Sequence, residues 1–174
     1  EEVTIILGAD GDPVVSPGLS EQPLGSNWPE DDQMSPYRFV GDGRAPTGPG
    51  EVVIDERSAR TAGVEVGDDV VIVGKAEVRR YEVVGIVSTE QGELPRGSSL
   101  ALFSTDEARS LFANPDNDNR VAIRLEPGAD PEQVAAAVRA VLPAGAEVVD
   151  GVTGAQHRQE SINRRSANKR AGQK

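Results

Sequence analysis

Between residues 16 and 50 the chain carries Pro17, Gly18, Pro23, Gly25, Pro29, Pro36, Gly41, Gly43, Pro46, Gly48, Pro49 and Gly50. Proline fixes φ and removes a backbone donor, and glycine loses the most freedom when it is ordered. That density excludes long helices and long strands here. A structureless loop of this length is unusual in a compact domain. Yet Leu24, Trp28, Met34, Tyr37, Phe39 and Val40 are spaced through it. The segment therefore reads as ordered, extended chain that lays its apolar side chains on a sheet.

The flanking segments supply that sheet. Val3 to Leu7 is short and β-branched, a strand, closed by the turn cluster Gly8-Ala9-Asp10-Gly11-Asp12-Pro13. Glu51 to Asp55 is a strand, Glu56 to Ala62 a short helix, and Gly63 its stop. Asp69 to Val73 and Val78 to Ser88 form a hairpin about Gly74-Lys75-Ala76-Glu77, with Gly85 a candidate bulge. Leu100 to Phe103 is a strand, and Thr105 can cap a helix from Asp106 to Phe112. Asn114 to Asn119 breaks the chain. Val121 to Glu126 alternates with period two, a half-buried strand. Asp130-Pro131-Glu132-Gln133 is a helix start, with Asp130 as cap, Pro131 at the first helical position and Gln133 closing a capping box. Val134, Val138, Val141 and Leu142 share one helical face, Pro143 ends the helix, and Ala146 to Val149 returns as a strand.

The net charge is −11, from 29 acidic and 18 basic residues. Nucleic acid is not an expected partner, because phosphate binding needs a concentrated positive face. Residues 157–174 hold Arg158, Arg164, Arg165, Lys169, Arg170 and Lys174 against Glu160, so an acidic body carries a basic tail. No apolar run approaches the ~20 residues of a membrane helix, and the chain as it stands reads as soluble. It begins with Glu-Glu, shows no signal peptide and reads as a piece of a longer protein.

Catalytic and metal-binding readings lack parts. The absence of cysteine excludes disulfides and thiolate chemistry. The one histidine, His157, lies in the polar tail, and no Gly-x-Ser-x-Gly elbow, dinucleotide fingerprint or phosphate-binding loop is present. Asp10-Gly11-Asp12 and Asp116-Asn117-Asp118-Asn119 lack the glycine and glutamate of a calcium loop; both read as solvated turns, as does Glu30-Asp31-Asp32. No catalytic residue, no metal ligand and no cofactor is expected. Trp28, Tyr37 and Phe39 are the candidate contact residues, since exposed aromatics mark interfaces; their plainer reading is packing against the sheet.

The run Gly43-Arg44-Ala45-Pro46-Thr47-Gly48-Pro49-Gly50-Glu51-Val52-Val53-Ile54-Asp55 is recognisable. With Ala59, Gly67-Asp68-Asp69-Val70, Tyr81-Glu82-Val83-Val84-Gly85-Ile86, Ala101-Leu102-Phe103 and the stretch from Leu125 to Pro143, it resembles the extracytoplasmic, MacB-like periplasmic core domain of FtsX-like ABC transporter permeases of actinobacterial type. The segments 8–15 and 24–28 resemble the family upstream.

The resemblance implies an α+β domain of two lobes outside the membrane: a porter-like α/β lobe from 1–50 and 115–152, an inserted β-rich lobe at 51–114, and a stalk or appended tail at 153–174. It requires Val3 to Leu7 to share a sheet with 121–126 and 146–149. It implies a non-catalytic domain on the extracytoplasmic face of the cell membrane. Its partners would be a cytoplasmic ATPase subunit, through the whole permease, and an extracytoplasmic protein or lipid-like substrate. The alternative is a stand-alone double-psi-type β-barrel binding module, suggested by the strand, short helix and Gly-Val-x-Val-Gly-Asp-x-Val arrangement at 51–71. Such a barrel would leave 121–150 as a separate appendage. A hydrolase would need two carboxylates converging in a cleft.

Overall fold

The longest strand organises the sheet. In the computed structural model, which describes residues 2–8, 10–14, 22–74, 77–89, 98–112, 121–143 and 145–151, strands β1 (Glu2–Val3), β2 (Ile5–Leu7), β3 (Gln22–Asn27), β4 (Tyr37–Phe39), β5 (Glu51–Asp55), β6 (Asp69–Val73), β7 (Val78–Thr89) and β8 (Ser98–Phe103) form one mixed sheet. The helices are α1 (Glu56–Ala62), α2 (Thr105–Leu111) and α3 (Pro131–Val141). The class is α+β, as expected.

The sheet order β1-β3-β8-β5-β7-β6-β2 begins and ends on the same stretch of chain. Residues 2–7 pair with β3 on one side of Thr4 and with β6 on the other. The sheet therefore closes into a barrel, which removes its free edges. Ile6, Val52, Ile54, Val70, Ile72, Tyr81, Val83, Ala101 and Phe103 come from strands around the ring and form one buried cluster, the barrel interior. Ala59 and Ala62 of α1 and Ala108 and Leu111 of α2 join it. A second cluster lies on the outer face of β5, β7 and β8, with Val53, Val84, Val87, Leu100 and Leu102 under Trp28.

Both faces of β7 are buried because of a bulge. Val52 pairs with Val83 and Val53 with Gly85, so Val84 is the extra residue. Tyr81 and Val83 point inward before it, and Val84 and Val87 point outward around it. A bulge shifts the period-two alternation by one.

The local signals at α1 match the structure, and the cap expected for α2 does not. Asp55 caps α1, and Gly63 ends it in the left-handed region at φ 68°. The Asp55 carboxylate accepts bonds from the Ser58 amide, the Ser58 hydroxyl and the Leu100 amide of β8. One buried side chain thus caps a helix and ties β5 to β8. The cap of α2 is Ser104, not Thr105: the Thr105 hydroxyl instead donates to Glu30.

Two expectations about the sheets are corrected. Val3 to Leu7 does not lie with 121–126 and 146–149; it belongs to the sheet of residues 51–103. Neither 121–126 nor 146–149 is a strand. Alternation alone does not make one, because a strand needs a neighbour for its backbone groups, and the expected neighbour is bound to β6. The Pro/Gly segment runs extended as read, and its part Gln22–Asn27 is the strand β3, with Pro23 second and Leu24 and Gly25 paired on both sides.

The chain divides into two compact units, Glu1–Val121 and Ala122–Lys174. In the second unit Asp130 caps α3 by accepting from the Glu132 and Gln133 amides. The Gln133 side-chain amide donates to the Asp130 carboxylate, where a capping box would have its oxygen accept from the Asp130 backbone amide. No residue of α3 is buried. The tail expected at 153–174, the Asp116–Asn119 cluster and His157 lie outside the described residues.

Asp55→Ala should lower unfolding stability by about 2–4 kcal/mol, from the lost cap and the buried Leu100 amide left without a partner. Asp130→Ala should cost only about 0.5–2 kcal/mol, the range for a cap alone. Chemical denaturation reads the first. Amide exchange across 131–141 reads the second.

Candidate functional site

The three aromatic residues singled out in the sequence meet on the outer face of the barrel. Trp28 follows β3; its amide donates to the Phe103 carbonyl at 2.7 Å, which extends the β3–β8 ladder by one bond. The chain then makes a 3-10 turn at Asp32–Met34, where the Asp31 carboxylate accepts from the Gln33 amide. It returns as β4 along the far end of β7, with Tyr37 opposite Thr89 and Phe39 opposite Val87. Phe39 stacks on Trp28 at 5.2 Å between ring centroids, and Tyr37 is tilted against it at 6.0 Å.

Two glycines let this segment lie flat. A Cβ on Gly85 would fall 2.7 Å from the Phe39 ring and 2.9 Å from the Arg44 carbonyl, and one on Gly43 would meet the Gly85 backbone at 3.0 Å. The Val40 and Arg44 amides donate to the Ile86 and Val84 carbonyls across this crossing.

Burial separates the roles. Trp28 is 8% exposed and belongs to the outer cluster. Tyr37 is half-buried beside it. Phe39 at 37% and Val40 at 38% form the exposed rim. The packing reading thus describes Trp28, while the accessible apolar surface is at Phe39 and Val40. The sequence reading missed Val40 as a surface residue; its position just past β4 was the available signal.

The charged groups around the barrel are engaged with one another. The Glu51 carboxylate takes a bidentate pair from Arg44 and further bonds from the Thr47 amide, the Thr47 hydroxyl and the Gly48 amide. Arg44 above all, then the Thr47 amide, holds the Glu51 carboxyl down at about 2. Inside the barrel wall, Glu107 accepts from the Tyr81 hydroxyl at 2.7 Å and from Arg79 at 2.9 Å; Arg79 also pairs with Glu77. Burial, then Glu107, pushes the Tyr81 hydroxyl above its ordinary range.

An open cleft of about 460 Å³ is lined by Glu30, Thr47 to Pro49 and residues 104–107 and 109. It brings carboxylates together, as a hydrolase would need. Glu107 is committed to Arg79 and Tyr81, however, and Glu30 accepts from Thr105. Among the described residues no group of three or more His, Cys, Asp or Glu side chains could hold a metal ion. Asp10 accepts from the Asp12 amide, a local turn.

The first compact unit is a closed barrel with an aromatic shelf on its outer face, the chain from Ala122 forms a second unit, and among the described residues no helix is long and apolar enough to cross a membrane. The family model of the MacB-like periplasmic core domain matches residues 6–141, across both units, and the chain belongs to that family. It is thus of the extracytoplasmic type found in ABC transporter permeases. A search of the curated proteins returns no match.

The Glu51 network generates a pH prediction. A carboxyl held at about 2 when folded, against about 4.3 when unfolded, contributes stability above the unfolded value and loses it as pH falls toward the folded one. Glu51→Gln should therefore be less stable than wild type at pH 7. The gap between their denaturation midpoints should narrow steadily as pH is lowered from about 5 to about 2.

Proposed function

We propose that this chain is the non-catalytic extracytoplasmic domain of an ABC permease. It relays motion generated by a cytoplasmic ATPase subunit to an extracytoplasmic protein or a lipid-like substrate. The family match over residues 6–141 carries this reading. Relay needs bodies that move without deforming. Barrel closure supports that for the first unit, and the chain from Ala122 onward is a compact unit of its own. The pairing of Glu51 with Arg44 and of Glu107 with Arg79 and Tyr81 is spent on the fold and favours a body without chemistry of its own. The net charge of −11 disfavours nucleic acid. The aromatic shelf of Trp28, Tyr37 and Phe39 is the contact surface in this reading, with Phe39 reaching the partner and Trp28 holding it in place.

One observation favours a second reading. The barrel is closed by Glu2–Leu7, and the chain from Ala122 forms its own unit, the arrangement a self-contained double-psi-type binding module would have.

Site-directed labelling separates the two. The described chain has no cysteine, and Val78 is 61% exposed at the start of β7. Val78→Cys in the whole protein should react with a membrane-impermeant maleimide in intact cells. Labelling only after lysis would overturn the permease reading and leave the binding module.

A further inference from the structure

The strand that closes the barrel is also its most lightly held joint. Residues 2–7 pair with β3 at two positions and with β6 at three. The β3–β8 joint pairs six positions, and the β6–β7 and β5–β7 joints five each. The β5–β8 joint also pairs only two positions, but the Asp55 carboxylate bonds the Leu100 amide across it, and buried clusters lie on both of its faces. The first strand is backed by a buried cluster on its inner side only, through Ile6.

Its midpoint carries a fault. Thr4 separates β1 from β2, is 0% exposed, and its hydroxyl has no hydrogen-bond partner. A buried hydroxyl without a partner forfeits the hydration it would have in the open chain. Thr4 fits only because residue 25 is glycine: a Cβ there would lie 2.0 Å from the Thr4 hydroxyl oxygen and 2.7 Å from the Phe112 ring. The following turn moves with the strand, since the Val14 amide bonds the Ile6 carbonyl and Pro13 bridges Leu7.

We propose that residues 2–8 with 10–14 are a latch, which releases the barrel between β3 and β6 as one cooperative unit, and that Thr4 sets how easily it opens. Release wets the Thr4 hydroxyl, uncovers Ile6 and frees one edge each of β3 and β6. The remaining strands keep their ladders, so the opening lies below global unfolding in free energy. The proposal rests on the barrel alone and not on the relay reading; the labelling result does not bear on it.

Hydrogen exchange of the 174-residue chain under native conditions tests it. Peptides covering 2–7 should exchange faster than those covering 51–55 and 98–103. Thr4→Val, which keeps the shape and removes the orphaned hydroxyl, should slow exchange across 2–7 by about tenfold, with a much smaller change at 51–55. Gly25→Ala should act in the opposite direction and speed exchange at 2–7. If Gly25→Ala fails to fold, the Thr4→Val comparison still decides. Unchanged exchange at 2–7 in Thr4→Val, or an equal change at 51–55, would overturn the proposal.

Discussion

The backbone pairing of β7 is the interaction on which the rest of the structure depends. Its twelve residues hold β6 and then β4 along one edge and β5 along the other. Among the described residues no other strand has three neighbours. The bulge at Val84 lets one strand serve two cores. Without it, Val87 would turn inward, and the outer cluster under Trp28 would lose one of its walls. Gly85 belongs to the same device, because the aromatic segment crosses β7 where no Cβ stands in the way.

Carboxylates do the second share of the work. Asp55 is 2% exposed and joins the start of α1 to β8, the strand next to β5 in the sheet order. Glu107 joins α2 to β7 through Tyr81 and Arg79. Glu51 closes the loop 44–48 over the start of β5. Each buried or half-buried carboxylate has donors converging on it, which is the condition for keeping charge in a low-dielectric setting. A strongly acidic chain has thereby used these inward-facing acids for architecture.

The family and the architecture point in different directions on one matter. The match runs through both compact units, and the family resemblance called for Val3–Leu7 beside 121–126. Instead the strand completes the barrel. Ile6 sits in the interior cluster with Ile72, its register partner on β6. The segment 121–126 offers Val121 and Ile123 alternating with Ala122 and Arg124, and both apolar side chains are exposed.

By itself the sequence determined whatever neighbours along the chain decide. The α1 helix, from its Asp55 cap to its Gly63 stop, follows from a carboxylate before the helix and a residue free to adopt positive φ. The same holds for the Asp130 cap, the β6–β7 hairpin and the bulge marked by Gly85. That Trp28, Tyr37 and Phe39 lie against the sheet was legible too, because the Pro/Gly-rich segment that carries them has no long helix to bury them in; that they stack on one another was not. Tertiary structure alone decided which strands pair across long stretches of chain. Two β-branched runs of similar composition are equivalent until a partner completes their hydrogen bonds, so nothing in Val3–Leu7 distinguishes β6 from 121–126. It also decided that the Thr105 hydroxyl turns to Glu30, leaving Ser104 to cap α2, and that Thr4 is buried without a partner. Each of these depends on a contact far away in sequence, where local propensity carries no information.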